Sequence, residues 1–294
     1  IVVMGAVGQV APPERRSTVF GLVTVAFSIG MFIMAPLLQY LINLHGWSGA
    51  LQVAGGLVLI ISLLALGLPG NSSKTEKSTD REAESELTLL KTINGAMNHH
   101  GYLLLNVGFF VCGFHVAFIG THLPSFLQAE GISISTASWA LAMIGLFNMF
   151  GSMIFGRMGD SLSKKNLLSL LYTLRAVVIA GFLAIPLNEI TAIAFGAAIG
   201  FLWLATVPLT SGIVAQVFGT RYLSTLWAIV FFSHQLGAFL GVWLGGRVYD
   251  ATGSYTPVWL ASIALGLLAG IIHLPIREQP WKPSALEPQT SGSD

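Results

Sequence analysis

Three side chains that can carry a charge lie deep inside the apolar runs of this sequence: Arg175, His115 and His234. Arg175 comes ten residues after Lys165, about 15 Å along a helix, which is near the middle of a bilayer core about 30 Å thick. An arginine at that depth costs at least about 2.5 kcal/mol. We therefore expect its side chain to face the interior of a helix bundle or a water-filled cavity.

The chemistry of Arg175 leaves two interpretations open. Its planar guanidinium binds a carboxylate through two parallel hydrogen bonds, and no Asp or Glu lies within a predicted span to pair with it. Either an anionic substrate or coupling ion meets Arg175, or the side chain is bonded to backbone carbonyls or to a carboxylate outside this sequence.

Two histidines and two amides complete the set of polar side chains at membrane depth. His115 and His234 can take up a proton near neutral pH, so either could couple proton movement to an anion; the alternative is that each packs against a neighbouring helix. Gln235 adjoins His234. Asn148, about 12 Å from the membrane edge, hydrogen-bonds either a neighbouring helix or a ligand.

The composition requires a solvent other than water for most of the surface. Of 294 residues, 54% are hydrophobic and only 9% are charged, whereas a soluble domain carries about 25% charged residues. The net charge of +1 excludes nucleic-acid binding through a basic face, and the single cysteine excludes a disulfide scaffold. The composition therefore predicts a membrane protein.

Apolar runs of about 20 residues, the length that crosses a bilayer as a helix, predict an all-α polytopic membrane helix bundle. Eight full spans are expected at Ser17–Ile42, Trp47–Pro69, Gly101–Leu123, Thr136–Gly156, Asn166–Leu187, Ile190–Gly212, Ser224–Gly246 and Pro257–Pro275. The shorter run Ile1–Ala11 is interpreted as the cut end of a ninth span, so that the sequence is an N-terminally truncated fragment.

Polar segments divide the chain into four parts. We expect residues 1–69 to be the C-terminal part of a first six-helix half, 70–100 a cytoplasmic linker, 101–275 a second six-helix half, and 276–294 a disordered cytoplasmic tail. Alternating the loops places twelve of the 14 Lys and Arg residues on one side and only Arg247 on the other. Positive charge marks the cytoplasmic side, so we expect the linker and the C-terminus to be cytoplasmic. We expect the protein to be a multi-pass protein of a bacterial inner (plasma) membrane.

An internal repeat supports the two halves. A shift of 207 positions places Ser17-Thr18 on Ser224-Thr225, Gly30 on Gly237 and Gly46 on Gly253. Both copies run in the same direction, which predicts a parallel repeat about an axis along the membrane normal. The offset predicts twelve spans in the intact protein, which we expect to be a monomer.

One loop between two predicted spans carries a motif of glycines and charges. Glycines allow a sharp turn and close helix contact, and Asp160 can accept hydrogen bonds from the start of a neighbouring helix. The motif residues are Gly156, Arg157, Gly159, Asp160, Lys164 and Lys165. They resemble the loop signature of the major facilitator superfamily, Gly-x-Leu-Gly/Ala-Asp-Arg-x-Gly-Arg-Arg/Lys, with Met158, Ser161 and Ser163 as departures.

The resemblance implies a major facilitator fold of two six-helix halves, in which this loop latches the outward-facing state and the helices of His115 and His234 line a central cavity. The tract from Ser233-His234-Gln235 through Asp250 to Trp259 is similar to the last two helices of monocarboxylate-transporter-like members. The resemblance implies a secondary active transporter for a small organic anion, such as a monocarboxylate, with a proton as possible co-substrate.

The alternatives are a multidrug or other small-molecule exporter of the same superfamily, a non-transporting membrane sensor, and a membrane-embedded enzyme. No nucleophile–base pair or histidine-rich metal site stands out, and no nucleotide-binding loop is present. We therefore expect neither catalysis, nor a metal, nor a cofactor, and the partners expected are a small-molecule substrate and the lipid bilayer.

Three glycines share one helix face at four-residue spacing, Gly237, Gly241 and Gly245. This spacing is typical of close helix–helix contact in membranes, so we expect a packing surface there. Pro36, Pro124 and Pro208 are expected to kink or end helices.

The alternation of loops predicts that Lys164 and Glu130 lie on opposite sides of the membrane. Each is to be replaced by cysteine in a variant without Cys112 and labelled with a membrane-impermeant thiol reagent in sealed, oriented vesicles. Labelling of both positions from the same side would contradict the predicted arrangement of spans.

Overall fold

The structure, a computed structural model, describes residues 2–65 and 89–281, and within these ranges it contains helices and no strand. The helices in chain order are α1 Val2–Val10, a 3₁₀ turn Pro13–Arg15, α2 Arg16–Ala65, α3 at residues 89–97, α4 His100–Ala129, α5 Ile134–Ser161, α6 Lys164–Ala184, α7 Glu189–Leu202, α8 Thr206–Phe218, α9 Leu223–Thr252 and α10 Thr256–His273. The predicted all-helical membrane bundle is confirmed.

Seven stretches among the described residues are long and apolar enough to cross a membrane. The first, Pro13–Leu59, has 47 residues, about 70 Å of helix, more than twice the thickness of the hydrocarbon core. Gly46 interrupts α2 inside this stretch with φ 69° and ψ 176°, a conformation that only glycine adopts readily. The two predicted spans Ser17–Ile42 and Trp47–Pro69 lie on either side of Gly46.

One predicted span is not a continuous helix. Ile190–Gly212 is expected as a single rod, but α7 ends at Leu202 and α8 begins at Thr206. Pro208 has no N–H with which to bond the carbonyl of Leu204 in a continuous helix, and that carbonyl accepts from Val207 N instead, at 2.9 Å. By contrast, α2 continues through Pro36 and α4 through Pro124.

Side-chain caps fix where several helices begin. Ser133 Oγ accepts from Thr136 N at 3.1 Å at the start of α5, and Asn188 Oδ1 accepts from Thr191 N at 3.0 Å at the start of α7. The ring of His99 caps α4 by accepting from Tyr102 N. Burial, and then the neighbouring His100, lower the pKa of His99, which keeps the accepting nitrogen unprotonated.

Four helix pairs carry the bundle: α2 with α5, α4 with α9, α5 with α7 and α6 with α10. The glycine face of α9 lies in the second of these contacts. A Cβ on Gly241 would lie 2.5 Å from Phe114 O, and one on Gly237 would overlap Phe110 O. A Cβ on Gly245 would lie 2.5 Å from Nε2 of His122, whose ring fills this space. The backbones of α4 and α9 therefore touch.

Two glycines that the predicted repeat aligns with each other, Gly46 and Gly253, both have a positive φ angle. Gly46 and Gly253, 207 positions apart, both have φ 69°, although their ψ angles differ, 176° and 11°. Gly46 interrupts the helix that begins at Arg16, and Gly253 ends the helix that begins at Leu223. Gly131 and Gly219 also have positive φ, so the duplication stays a prediction from the sequence.

The start of the predicted disordered tail is held in place. Trp281 N donates to Val217 O at 2.8 Å, and the Trp281 ring lies against Gly95 and 5.9 Å from the ring of Phe218. Residues 276–281 of the predicted tail therefore make specific contacts with the helix bundle. Residues 282–294, residues 70–88 of the predicted linker and residues 66–69 of the predicted span Trp47–Pro69 lie outside the described residues.

The α4–α9 contact predicts that Gly237→Ala and Gly241→Ala each lower the free energy of unfolding by about 1–3 kcal/mol, because the added methyl group overpacks a backbone contact. Thermal unfolding of the purified protein in detergent measures the loss. The matched control is Gly246→Ala on the same helix, where a Cβ meets nothing within 4 Å. Equal stability of all three variants would contradict this account of the interface.

Candidate functional site

A layer of buried polar side chains separates the two apolar clusters of the core. Along α6, Tyr172 belongs to one cluster and Ile179 to the other, and Arg175 lies between them. Along α5, Phe155 belongs to the first cluster and Ile144 to the second, and Asn148 lies between them. The break between α7 and α8 lies at the same level, since Leu202 and Trp203 belong to different clusters.

Arg175 binds the carbonyls that the helix break leaves free. It is 1% exposed. Its Nε and Nη2 donate to Leu202 O at 3.0 and 2.7 Å, Nη2 also bonds Trp203 O, and Nη1 donates to Cys112 Sγ at 3.5 Å. The guanidinium also stands 5.2 Å from the centre of the Tyr172 ring. Of the two interpretations of Arg175, bonding to backbone carbonyls is the one present in this geometry; substrate contact stays a prediction.

Asn148 hydrogen-bonds the backbone on the other side of the break, at the amide of Leu204. Its Oδ1 accepts from Leu204 N at 2.8 Å and from Ser152 Oγ at 3.2 Å, while Nδ2 donates to Ser28 Oγ at 2.8 Å. The side chain is fully buried. Asn148 thus bonds neighbouring helices in this geometry, and together with Arg175 it satisfies the backbone groups that a broken helix exposes inside a membrane.

The two predicted histidines have different surroundings. His115 is 1% exposed and donates through Nε2 to Ser262 O on α10 at 2.8 Å. His234 bonds Gln235 Oε1 through Nδ1 at 3.1 Å and stacks on Phe231 with ring centres 5.2 Å apart. Gln235 itself is exposed on α9. Of the two histidines, His234 therefore lies closer to an accessible polar surface.

Cys112 was missed as a site residue, since a single cysteine carries no motif. Its thiol is fully buried in the polar layer, 3.4 Å from Thr206 Oγ1 at the first residue of α8. Together with the donor from Arg175, this contact connects α4 to the helix break. Only the depth of Cys112 within the predicted span could have indicated it.

The residues of the signature loop lie mostly within helices, since α5 continues to Ser161 and α6 begins at Lys164. The part on α5 contacts the first turn of α2. Asp160 accepts from Ser17 N at 2.8 Å, from Thr18 N at 3.2 Å and from Thr18 Oγ1 at 2.5 Å. A carboxylate at a helix N-terminus binds free amides and compensates the positive end of the helix dipole. The two glycines of the motif permit the approach: a Cβ on Gly156 would lie 2.9 Å from Ser17 O, and one on Gly159 3.2 Å from Ser17 Cβ.

The remaining basic residues of the loop separate into two sets. Arg157 is exposed and lines an open cavity of about 340 Å³ with Arg15, Thr18 and Asp160. Lys164 Nζ donates to Gln216 Oε1 at 2.8 Å, and Lys165 Nζ donates to Leu274 O at 2.8 Å. The lysines therefore connect α6 to α8 and to the end of α10.

Glu278, which sequence reasoning assigned to a disordered tail, caps α6. Its Oε1 accepts from Lys165 N at 2.6 Å and from Ser163 Oγ at 3.3 Å, and its carbonyl accepts from Gln216 Nε2 at 3.0 Å. Glu278 thus caps the N-terminus of α6 as Asp160 caps the N-terminus of α2. No motif marks it in the sequence, because the main bonding partner is a backbone amide.

A multi-pass helical membrane protein with a broken helix at its centre and a carboxylate-capped interface is the class that these features define. The sequence profile of the Major Facilitator Superfamily matches residues 1–241 and, in a second match, 105–291. The chain belongs to the Major Facilitator Superfamily.

Curated relatives are similar at low identity. Monocarboxylate transporter 12 of Mus musculus is 26% identical, covering 89% of this chain and 60% of the relative. Monocarboxylate transporter 13 of Rattus norvegicus is 29% identical with the same two coverages, 89% and 60%. The MFS-type transporter YcxA of Bacillus subtilis is 23% identical, covering 88% and 64%. The chain spans about three fifths of the length of these relatives, and the presence of mammals among them does not support the predicted bacterial origin.

The bonding of Arg175 predicts a loss of stability when it is replaced by a neutral residue. Arg175→Met leaves the carbonyls of Leu202 and Trp203 without a donor, at a cost of about 1–3 kcal/mol for each unsatisfied group. Thermal unfolding in detergent measures the change, with exposed Arg157→Met as control, expected within about 0.5 kcal/mol of the unchanged protein. A role of Arg175 in substrate contact alone predicts unchanged stability in both variants.

Proposed function

We propose that the chain is part of a secondary active transporter that moves a small organic anion, such as a monocarboxylate, by alternating access between two six-helix halves. The observation that carries this proposal is the contact of Asp160 with the first amides of α2. It joins the two predicted halves through a few exchangeable hydrogen bonds at the start of α2, while Ser28 and Ala35 further along α2 bond Asn148 and Ser138 of α5. Such a contact can hold one conformation and be released when the halves rock apart.

The charge of the polar layer favours an anionic substrate. Arg175 is surrounded by carbonyl oxygens, a thiol and an aromatic ring, and among the described residues no carboxylate bonds it. Carbonyl dipoles solvate the guanidinium without cancelling its charge, and in a low-dielectric interior that charge acts over a longer range than in water. A positive potential at mid-membrane attracts a carboxylate without direct contact. The names of the relatives from mouse and rat support the same substrate class.

For the coupling ion, His234 is the better candidate of the two histidines. Its hydrogen-bond partner Gln235 is exposed on α9, so a proton can reach the pair from the exposed face of that helix. His115 is closed in by α10 through its bond to Ser262 O. We place the signature loop, the linker and the end of α10 on the cytoplasmic side, because the predicted loops there carry most of the Lys and Arg residues.

Counterflow in proteoliposomes tests the proposal on the protein that contains this chain. Vesicles loaded with unlabelled lactate are expected to accumulate labelled lactate transiently, in a saturable manner and faster at acidic external pH. Vesicles without protein and a labelled organic cation serve as controls. Exchange of the cation in place of lactate indicates an exporter of cationic compounds, and absence of all exchange contradicts the transport proposal.

Two variants connect the measured rate to the contact that carries the proposal. Asp160→Ala removes a helix cap worth about 1 kcal/mol, which shifts a two-state equilibrium about fivefold. It is expected to change the maximal rate of counterflow more than the half-saturating concentration, because Asp160 lies away from the polar layer. Asp250→Ala removes an exposed carboxylate at the far end of α9 and is expected to change neither.

A further inference from the structure

Asn148 has hydrogen-bond partners on three different segments. One is Leu204 N within the break between α7 and α8, one is Ser152 on its own helix α5, and one is Ser28 on α2. Ser28 is fully buried and bonds its own helix at Thr24 O, at 3.0 Å. A single amide thus connects the break in the second half to a helix of the predicted first half.

The backbone groups on the two sides of the break between α7 and α8 bond different side chains, and the break therefore depends on the side-chain amide of Asn148 on one side only. The carbonyl groups on one side of the break are bonded by Arg175 on α6. Within the part of the chain that the structure describes, no hydrogen bond joins α6 to α2. The amide side is held by Asn148, which is oriented by Ser152 on its own helix and by Ser28 on α2. A shift of α2 therefore leaves the bonds of Arg175 in place and acts on the bond to Leu204 N.

The contact of α2 with α5 is tight at the same level. A Cβ on Gly145, three residues before Asn148, would lie 2.6 Å from Phe32 N and 3.0 Å from Ser28 O. The contact continues to the far end of α5, where Asp160 caps α2. Because backbone meets backbone here, α2 has no room to slide on α5 without changing the Ser28–Asn148 distance.

We infer that Asn148 is a positioning residue that couples the α7–α8 break to the contact between α2 and α5, with Ser28 as its partner on α2. When α2 and α5 separate, Asn148 loses the acceptor for Nδ2, and the bond of Oδ1 to Leu204 N is no longer held in one geometry. The α8 segment is then free to change its angle to α7. This inference rests on the proposed function only for the statement that α2 and α5 separate during the transport cycle.

Hydrogen–deuterium exchange of the reconstituted protein, read on peptides that contain Leu204, tests the coupling directly. Ser28→Ala removes the acceptor without changing any residue of the break. The exchange rate of the Leu204 amide is expected to rise about two- to tenfold, the range for loss of one neutral hydrogen bond. Ser28→Thr retains the hydroxyl and is expected to restore the original rate.

The matched control is Thr24→Ala, one turn earlier on α2. Thr24 is also buried, and its hydroxyl also bonds its own helix, at Phe20 O at 3.1 Å. This variant is expected to leave exchange at Leu204 unchanged. An unchanged rate in Ser28→Ala, or an equal rise in Thr24→Ala, overturns the inference, since the second result indicates a general loosening of α2.

The exchange experiment needs no substrate, so the two proposals fail separately. Coupled exchange in a protein that shows no counterflow leaves the role of Asn148 standing and overturns the transport proposal. Normal counterflow with uncoupled exchange overturns the role of Asn148 alone.

Discussion

The structure depends on how a helix is interrupted in the middle of a membrane. Hydrocarbon offers no hydrogen bonds, so each backbone group freed between α7 and α8 needs a partner from the protein. Arg175 supplies donors to the carbonyls of Leu202 and Trp203, and Asn148 supplies an acceptor to the amide of Leu204. An arginine is suited to this task because one guanidinium carries five donors, and its solvation by carbonyl dipoles lowers the cost of burying its charge.

Close packing and hydrogen bonds occur together at two of the main helix contacts, α4 with α9 and α2 with α5. The α4–α9 contact packs glycine against backbone, and three side chains, Tyr102, His122 and Ser233, also hydrogen-bond carbonyls of the facing helix. The α2–α5 contact combines close packing with hydrogen bonds at Asn148 and Asp160, each worth about 1 kcal/mol net. Helix α5 therefore carries both the closest packing between the predicted halves and the bonds that respond when it is disturbed.

Much of the fold follows from the sequence, because span length and apolar content have a direct physical cause. The signature loop likewise indicated Asp160 as a group that binds the start of a helix. Pro208 was expected to kink or end a helix, but the position of the break at residues 203–205 and the groups that bond it were not predicted, since the apolar run Ile190–Gly212 carries no other signal for them. Backbone carbonyls were one of the interpretations left open for Arg175, but the sequence could not show which carbonyls they are, nor that Glu278 bonds the amide of Lys165. Every residue has these backbone groups, so residue types and spacing do not distinguish them.

The cap that Glu278 provides has a consequence for biosynthesis. The capping carboxylate follows the amide of Lys165 by 113 residues in the chain, so α6 enters the membrane with its first turn open. At the usual 5–20 residues per second, the interval before Glu278 is made is on the order of ten seconds. During that time the four helices α7 to α10 are synthesised, and the first turn of α6 is capped only when the segment around Glu278 folds back onto it.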